Sequence, residues 1–183
     1  LYEDNIVLII NEDKVNFSNN KINHLLADFL EKNNLKGGMS SSFKSFSLLH
    51  GHYLQASAAL RLGERLHNNG FLYLYKDYTL CHMIENCAKT MNLYLLCHPA
   101  VILLYEYDGK YHTDYFNSLH IYLINHKNLA NSAKELGIHR NTFAYRIDKI
   151  VSLTGLDLQA ESETPHILIT YIIIEFLNKD ISH

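Results

Sequence analysis

Short apolar runs alternate with segments of helical periodicity over the first half of the chain. Residues 6–10 and 71–75 are apolar runs rich in β-branched or aromatic side chains, which predicts two strands, the first of them buried. Residues 22–32 and 48–66 carry apolar side chains at helical spacing, which predicts two helices. Residues 35–39 contain a glycine pair that indicates a chain break or a third, short strand.

The middle of the chain has a less decisive pattern. Residues 101–105 are apolar throughout and are compatible with a strand or a helix, but Pro99 suits a first helical turn, so we predict a helix. A further helix is predicted over about residues 115–125, with Thr113 or Asp114 as its cap.

Two helices separated by a short break are predicted between Asn128 and Gly155. Asn128 caps the first, over residues 129–136, and Gly137 ends it, because glycine adopts a positive φ at little cost. The second helix runs over about residues 140–153, and Gly155 is its expected C-terminal cap.

The spacing within this pair is that of a helix-turn-helix. Ala133 provides a small residue where the helices cross, Gly137 provides the turn, and Ile138, Phe143 and Ile147 provide apolar anchors. In this motif the second helix enters the major groove of DNA, and its first residues reach the bases. A helical hairpin that binds no ligand is the alternative interpretation.

The polar side of the second helix supplies candidates for DNA contact. Arg140 can bond to guanine and Asn141 to adenine, each through two hydrogen bonds. Arg146 lies at the edge of the apolar face, so an ion pair with an acid such as Glu135 is as good an interpretation as a phosphate contact. The full predicted set is His139, Arg140, Asn141, Thr142, Ala144, Tyr145, Lys149, Asn128, Lys134 and Arg146.

The distribution of charge along the chain is more informative about nucleic-acid binding than the net charge. The chain carries a net charge of −3, which by itself argues mildly against nucleic-acid binding. Residues 126–150, however, hold five lysines and arginines against two acids. Lys127, Lys134 and Lys149 suit phosphates, which position a protein on DNA without specifying sequence.

The last predicted helix begins at Thr164 and Pro165 and continues to Leu177. Its apolar side chains surround the helix axis, whereas a surface helix normally has a single apolar stripe. We therefore expect it to be buried on all sides, either between the two parts of the chain or partly against a second subunit. A homodimer is the favoured prediction.

The string His-Arg-Asn-Thr-Phe-Ala-Tyr-Arg at residues 139–146, within residues 128–158, closely resembles the DNA-binding domain of the PucR family of bacterial regulators. That family includes purine-catabolism and carbohydrate-diacid regulators. The pairs His98-Pro99 and Tyr107-Asp108 are similar to the residues that precede the motif in the family. The resemblance implies a transcriptional regulator that binds double-stranded DNA and is controlled by a small metabolite.

The first half of the chain shows a weaker resemblance, to a different domain. Gly38-Met-Ser40 and the helix that contains Tyr53 and Ala56 are similar to the latter half of a degenerate GGDEF-like domain. Met39 and Ser40 follow the glycine pair where cyclases have Asp-Glu-Phe, so cyclase chemistry is not supported. The resemblance implies a regulatory or scaffolding unit.

These patterns together predict an α+β fold. We expect a partial α/β, GGDEF-like unit over residues 1–76, a helical connector over 77–112 and an all-α helix-turn-helix domain over 113–183. Because the sequence starts with Leu1, we expect it to be part of a longer protein, with the effector-sensing domain elsewhere.

Composition and motifs argue against a membrane protein, a metalloprotein and an enzyme. No apolar run approaches the roughly 20 residues that span a bilayer and no leader pattern is present, so we expect a soluble, cytoplasmic protein. The three cysteines and twelve histidines show no metal-ligand spacing, so we expect no metal and no cofactor. Common enzyme motifs such as the P-loop do not occur, so we expect no enzyme. The alternative function is an effector-sensing or oligomerising module that does not bind DNA.

Overall fold

The structure is a computed structural model that describes residues 5–11, 19–66 and 69–180. The chain divides into two compact units, Leu1–Thr79 and Leu80–His183. None of the helices in the described residues combines the length and apolarity needed to cross a membrane. Within those residues the fold is mostly helical, with one small sheet in the first unit.

The first unit contains a two-stranded parallel sheet and its surrounding helices. Its elements are α1 (Asn19–Lys32), β1 (Gly37–Met39), a 3-10 turn (Phe46–Leu48), α2 (Leu49–Leu66) and β2 (Leu72–Leu74). β1 and β2 pair in register with Gly37 opposite Leu72 and Met39 opposite Leu74. The predicted helices and the strands at 35–39 and 71–75 are thereby confirmed, with shorter strands than the sequence suggests.

Two glycines allow α2 to lie close to the sheet. A Cβ atom on Gly38 would lie 1.9 Å from the carbonyl oxygen of Ala56, and one on Gly63 would lie 2.1 Å from the Tyr73 ring. Both distances are too short for any side chain. The absence of a Cβ therefore lets β1 and Tyr73 pack directly on α2.

The predicted buried strand at residues 6–10 is wrong. These residues form no strand, and Ile6 and Leu8 are 82% and 68% exposed. In the part of the chain that the structure describes, the sheet consists of β1 and β2 alone. A β-branched run favours extended backbone, but a strand also needs a partner strand and a covered face, and local sequence does not supply these.

The second unit is all-helical. Helix α3 (Tyr75–Ala88) begins in the first unit and ends in the second, and a 3-10 turn (Leu93–Leu96) follows it. The remaining elements are α4 (Pro99–Tyr111), α5 (Tyr115–Ile124), α6 (Leu129–Glu135), α7 (Arg140–Thr154) and α8 (Thr164–Asp180). The core includes Val101 and Leu104 of α4, Leu119 of α5, and Phe143 and Ile150 of α7, all 0% exposed. The helix predicted at residues 101–105 is confirmed.

Helix α8 packs against α4, α5 and the 3-10 turn that precedes α4. Ile167, Tyr171 and Ile174 belong to the core of this unit, whereas Ile169 is 42% exposed. The chain itself therefore buries most of α8 but not every side of it, and burial of the remaining side would require a second subunit. Contacts within the chain cover most of its apolar surface, which weakens the argument for a second subunit on this helix.

Gly137 and Gly155 end α6 and α7 in the left-handed conformation, with φ of 66° and 69°. An added Cβ at Gly137 would meet no atom within 4 Å. Backbone conformation, and not lack of space, therefore requires glycine there.

We expect Gly137→Val to lower the free energy of unfolding by about 1–3 kcal/mol, because a β-branched residue is strained at positive φ. Gly109→Val is the matched control, since Gly109 lies in α4 with equally open space and no positive φ. The control should stay within about 0.5 kcal/mol of the parent. Thermal unfolding of the full chain measures both, and equal melting temperatures for the two variants would refute the assignment.

Candidate nucleic-acid interface

Helices α6 and α7 and the turn between them form the predicted helix-turn-helix. Ala133 is 2% exposed, and its carbonyl oxygen accepts a hydrogen bond of 3.0 Å from the Ile138 backbone NH. Phe143 and Ile147 are buried and Ile138 packs against the same core. The apolar anchors that the sequence predicts are thus confirmed.

The beginning of α6 is fixed by Asn128. Its side-chain oxygen accepts hydrogen bonds of 3.0 Å from the backbone NH groups of Ala130 and Asn131, as expected for a cap. Ser132, fully buried, donates 2.8 Å to the Asn128 carbonyl oxygen. Asn128 was also predicted to contact DNA, and although it is exposed, its side-chain oxygen is engaged in the cap.

The beginning of α7 presents three exposed polar residues in succession. Arg140, Asn141 and Thr142 follow His139, whose Nδ1 atom accepts a 3.2 Å hydrogen bond from the Asn141 backbone NH. His139 therefore serves as the N-terminal cap of α7, a role that the sequence analysis did not assign to it. The cap fixes the helix start from which Arg140 and Asn141 project.

The side of α7 opposite the core is polar, as the helical periodicity predicts. Asn141, Asp148 and Ser152 are exposed, and Tyr145 is 65% exposed. On the flanks, Ala144 and Lys149 are half-buried, and Lys134 on α6 is exposed. The structure therefore brings the predicted residues 140–149 onto one continuous helix that His139 caps, with Lys134 on the helix before it and Asn128 as the cap of that helix.

Arg146 bonds to the beginning of α5. Its Nη1 atom lies 2.9 Å from the Asp114 carboxylate and 3.1 Å from the Ser118 hydroxyl, and its side chain is 27% exposed. The suggested pair with Glu135 is wrong, because Glu135 accepts a 2.6 Å hydrogen bond from the Asn125 side chain. Arg146 thus ties α7 to α5.

Asp114 is available for this ion pair because another residue caps α5. The Asp108 carboxylate accepts hydrogen bonds from the Tyr115 NH at 3.0 Å, the Phe116 NH at 2.7 Å and the Thr113 hydroxyl. The predicted side-chain cap by Thr113 or Asp114 is therefore wrong. His112 reverses the chain with φ of 54°, and this places the end of α4 beside the start of α5.

Sequence reasoning missed Asp108, Asp114 and Ser118 as contributors to this site. Their partners lie far away in sequence or in a neighbouring helix, so no local periodicity identifies them. Ser118 carried one usable signal, since it is a polar residue beside Leu119 on the apolar face of α5, and it is fully buried. A buried hydroxyl requires a hydrogen-bond partner.

The basic residues around α7 differ in whether an acid of the chain already pairs with them. Arg146 is compensated by Asp114, whereas within the described residues Arg140, Lys134 and Lys149 form no salt bridge. These three remain able to bind anions. The positive charges without an ion pair therefore lie at the start of α7, in the third turn of α7 and on α6.

Residues 115–169 match the PucR C-terminal helix-turn-helix domain, a segment that runs from the start of α5 into α8. This part of the chain is similar to the PucR-type helix-turn-helix domain, which confirms that resemblance. The match does not include the first unit, so its GGDEF-like character stays a prediction.

One curated relative extends the similarity upstream. Over 122 residues, 66% of this chain, the sequence is 26% identical to the proline-responsive transcriptional activator PutR of Bacillus subtilis (strain 168). The aligned part covers 30% of that protein. No solved structure matches the chain significantly.

We expect Asp114→Ala and Arg146→Ala each to lower the free energy of unfolding by about 1 kcal/mol, since each leaves the other group without its ion pair. In a double-mutant cycle the two changes should be coupled by about 0.5–1 kcal/mol. Asp148→Ala, an exposed acid on α7 without a salt bridge among the described residues, is the control. Strictly additive effects would show that the ion pair contributes nothing.

Proposed function

We propose that this chain is a transcriptional regulator that binds duplex operator DNA through α6 and α7. One observation carries the proposal most directly. Arg140, Asn141 and Thr142 stand exposed at the start of a helix whose opposite face is locked into the core, within a segment that matches a PucR C-terminal helix-turn-helix domain. A helix held in this way can enter a major groove without moving.

The residues divide into two proposed roles. Arg140 bonds to guanine, Asn141 bonds to adenine, and Ala144 or the methyl group of Thr142 meets a thymine methyl group. Tyr145 lies further along the same exposed side and contacts the groove wall.

Phosphate contacts form the second role. Lys134 and Lys149 are the proposed phosphate ligands, with His139 and Asn128 at the helix starts beside them. Arg146 is a positioning residue in this proposal, because its guanidinium is bonded to Asp114 and Ser118.

Control by a small metabolite is part of the proposal. The relative from Bacillus subtilis is described as proline-responsive, but the similarity covers 30% of that protein, so proline itself is not carried over. We propose no catalytic role. The parallel β1–α2–β2 arrangement agrees with a GGDEF-like remnant serving as a scaffold.

The base-reading role of Arg140 gives a direct test. We expect Arg140→Ala to weaken binding by about 1–3 kcal/mol on a duplex that the chain itself selects from a random library, and by much less on unselected DNA. Fluorescence anisotropy measures both affinities. Equal losses on the two DNAs would assign Arg140 to a phosphate instead.

Lys149→Ala is the matched comparison for that experiment. As a phosphate ligand, Lys149 contributes equally to all sequences, so its loss should weaken binding to selected and unselected duplexes alike. If selection from the library yields no duplex that the parent chain binds, the result favours the alternative of an effector-sensing or oligomerising module that does not bind DNA.

A homodimer is proposed for the DNA complex. Helix-turn-helix proteins commonly bind two half-sites about 34 Å apart, which requires two copies related by a two-fold axis. We expect analytical ultracentrifugation to find two chains per selected duplex, and the selected sequence to be an inverted repeat. One chain per duplex at saturation, on a sequence without a repeat, would contradict this.

A further inference from the structure

Three tyrosines form a continuous aromatic surface beside α7, which we call the tyrosine ladder: Tyr107, Tyr111 and Tyr115. The ring centroids of Tyr107 and Tyr111 lie 4.4 Å apart, and those of Tyr107 and Tyr115 lie 5.8 Å apart. The Lys110 ammonium lies 5.1 Å from the centre of the Tyr111 ring. Tyr111 is 52% exposed, so the ladder is open to solvent at its outer end.

The ladder is connected to the DNA-facing helix by the bonds already described. Arg146, next to Tyr145 in α7, holds Asp114, next to Tyr115 in α5, through the 2.9 Å ion pair. The backbone NH of Tyr115 in turn binds Asp108, next to Tyr107 at the end of α4. The ladder therefore lies beside the contact between α7 and the start of α5, at the end of α4.

The electrostatic surroundings agree with this proximity. Burial is the main cause that raises the pKa of Tyr115, followed by the neighbouring Tyr107 and Tyr145 hydroxyls, while Arg146 opposes the shift. The phenol is protonated at neutral pH, as an unperturbed tyrosine is, and can donate a hydrogen bond.

The hydroxyl groups of the ladder are unused within the chain. Among the described residues, no hydrogen bond is formed by the hydroxyls of Tyr107, Tyr111 or Tyr115. A tyrosine with a purely structural role commonly bonds to a backbone carbonyl, as Tyr171 does to Phe116 at 2.8 Å. Tyr115 packs partly against the core and Tyr107 is half-buried, but none of the three hydroxyls forms such a bond within the described residues, so each is a donor to an external acceptor.

Three acids lie near the ladder. Asp114 is paired with Arg146, whereas Asp108 keeps its negative charge while it accepts three hydrogen bonds from neutral groups. Glu106 lies one helical turn before Lys110, a spacing at which opposite charges partly offset each other.

We propose that the tyrosine ladder is a second DNA-contacting surface, which binds the sugar-phosphate backbone of the duplex flanking the site read by α7. The proposal rests on the proposed function, since it extends the same interface. Tyrosine hydroxyls are common donors to phosphate oxygens, and such contacts fix orientation without reading sequence.

The test uses the full chain and a duplex that the chain selects from a random library, extended by one helical turn at each end. Tyr107→Phe/Tyr111→Phe removes two hydroxyls and leaves the stacked rings in place. We expect about a five- to tenfold loss of affinity for the extended duplex. Tyr94→Phe is the matched control, since Tyr94 lies in the same unit with 51% exposure against 52% for Tyr111, and it should bind as the parent does.

A shortened duplex locates the contact. When the flanking turns are removed, the affinity of the parent chain should fall by the same five- to tenfold relative to the extended duplex. The affinity of the double variant should be the same for both duplexes, because the ladder has no phosphate to bind on the shortened one. The slope of affinity against salt should be unchanged by the double variant, since a neutral phenol displaces no counterion.

The outcomes separate this inference from the proposed function. If the double variant binds the extended duplex as tightly as the parent while Arg140→Ala still weakens binding, the tyrosine ladder is not a DNA surface and the proposed function stands. If the parent binds no duplex, both fail together. Melting temperatures of the double variant and of Tyr94→Phe equal to that of the parent establish that the comparison concerns binding alone.

Discussion

Burial of one face of α7 is the constraint on which the rest of the second unit depends. Phe143 and Ile150 are completely buried, and Ile147 is nearly so. Full burial of such side chains stabilises a fold by about 1.5–3 kcal/mol each, and truncating the phenylalanine alone would cost about 3–5 kcal/mol. With this face fixed, the helical repeat leaves Asn141, Tyr145 and the residues in line with them no orientation except toward solvent.

Hydrogen bonds and an ion pair fix the orientation of α7, which apolar burial alone leaves less well defined. Apolar contacts resist separation of α7 from the core, but they tolerate rotation and sliding better than directed hydrogen bonds do. The bonds from Arg146 to Asp114 and Ser118 fix the rotation of α7 relative to α5, and the Asp108 cap fixes α5 relative to α4. The two caps, Asn128 and His139, fix where α6 and α7 begin. The surface offered to a ligand is thus determined by three neighbouring helices rather than by α7 alone.

Features with a local cause could be predicted from sequence, and features with a distant cause could not. Phe143 and Ile147 recur at helical spacing, and Gly137 is required by its own φ, so the helix-turn-helix was found correctly. Residues 6–10 have the composition of a strand, but a strand also depends on a partner that composition does not reveal. Arg146 and Asp114 are 32 positions apart, and nothing in either neighbourhood shows that they meet. The elements of the helix-turn-helix could therefore be predicted from sequence, whereas the bonds that hold them in place could not.

The salt dependence of DNA binding tests the central claim most directly. Each phosphate contact made by a lysine or arginine lowers the slope of log affinity against log salt by about 0.9, so the two proposed phosphate ligands, Lys134 and Lys149, predict a slope of about −2 for each chain. Affinity of the full chain for its selected duplex should fall along that slope as the salt concentration rises. An affinity that does not change with salt, or an absence of binding at low salt, would contradict the account.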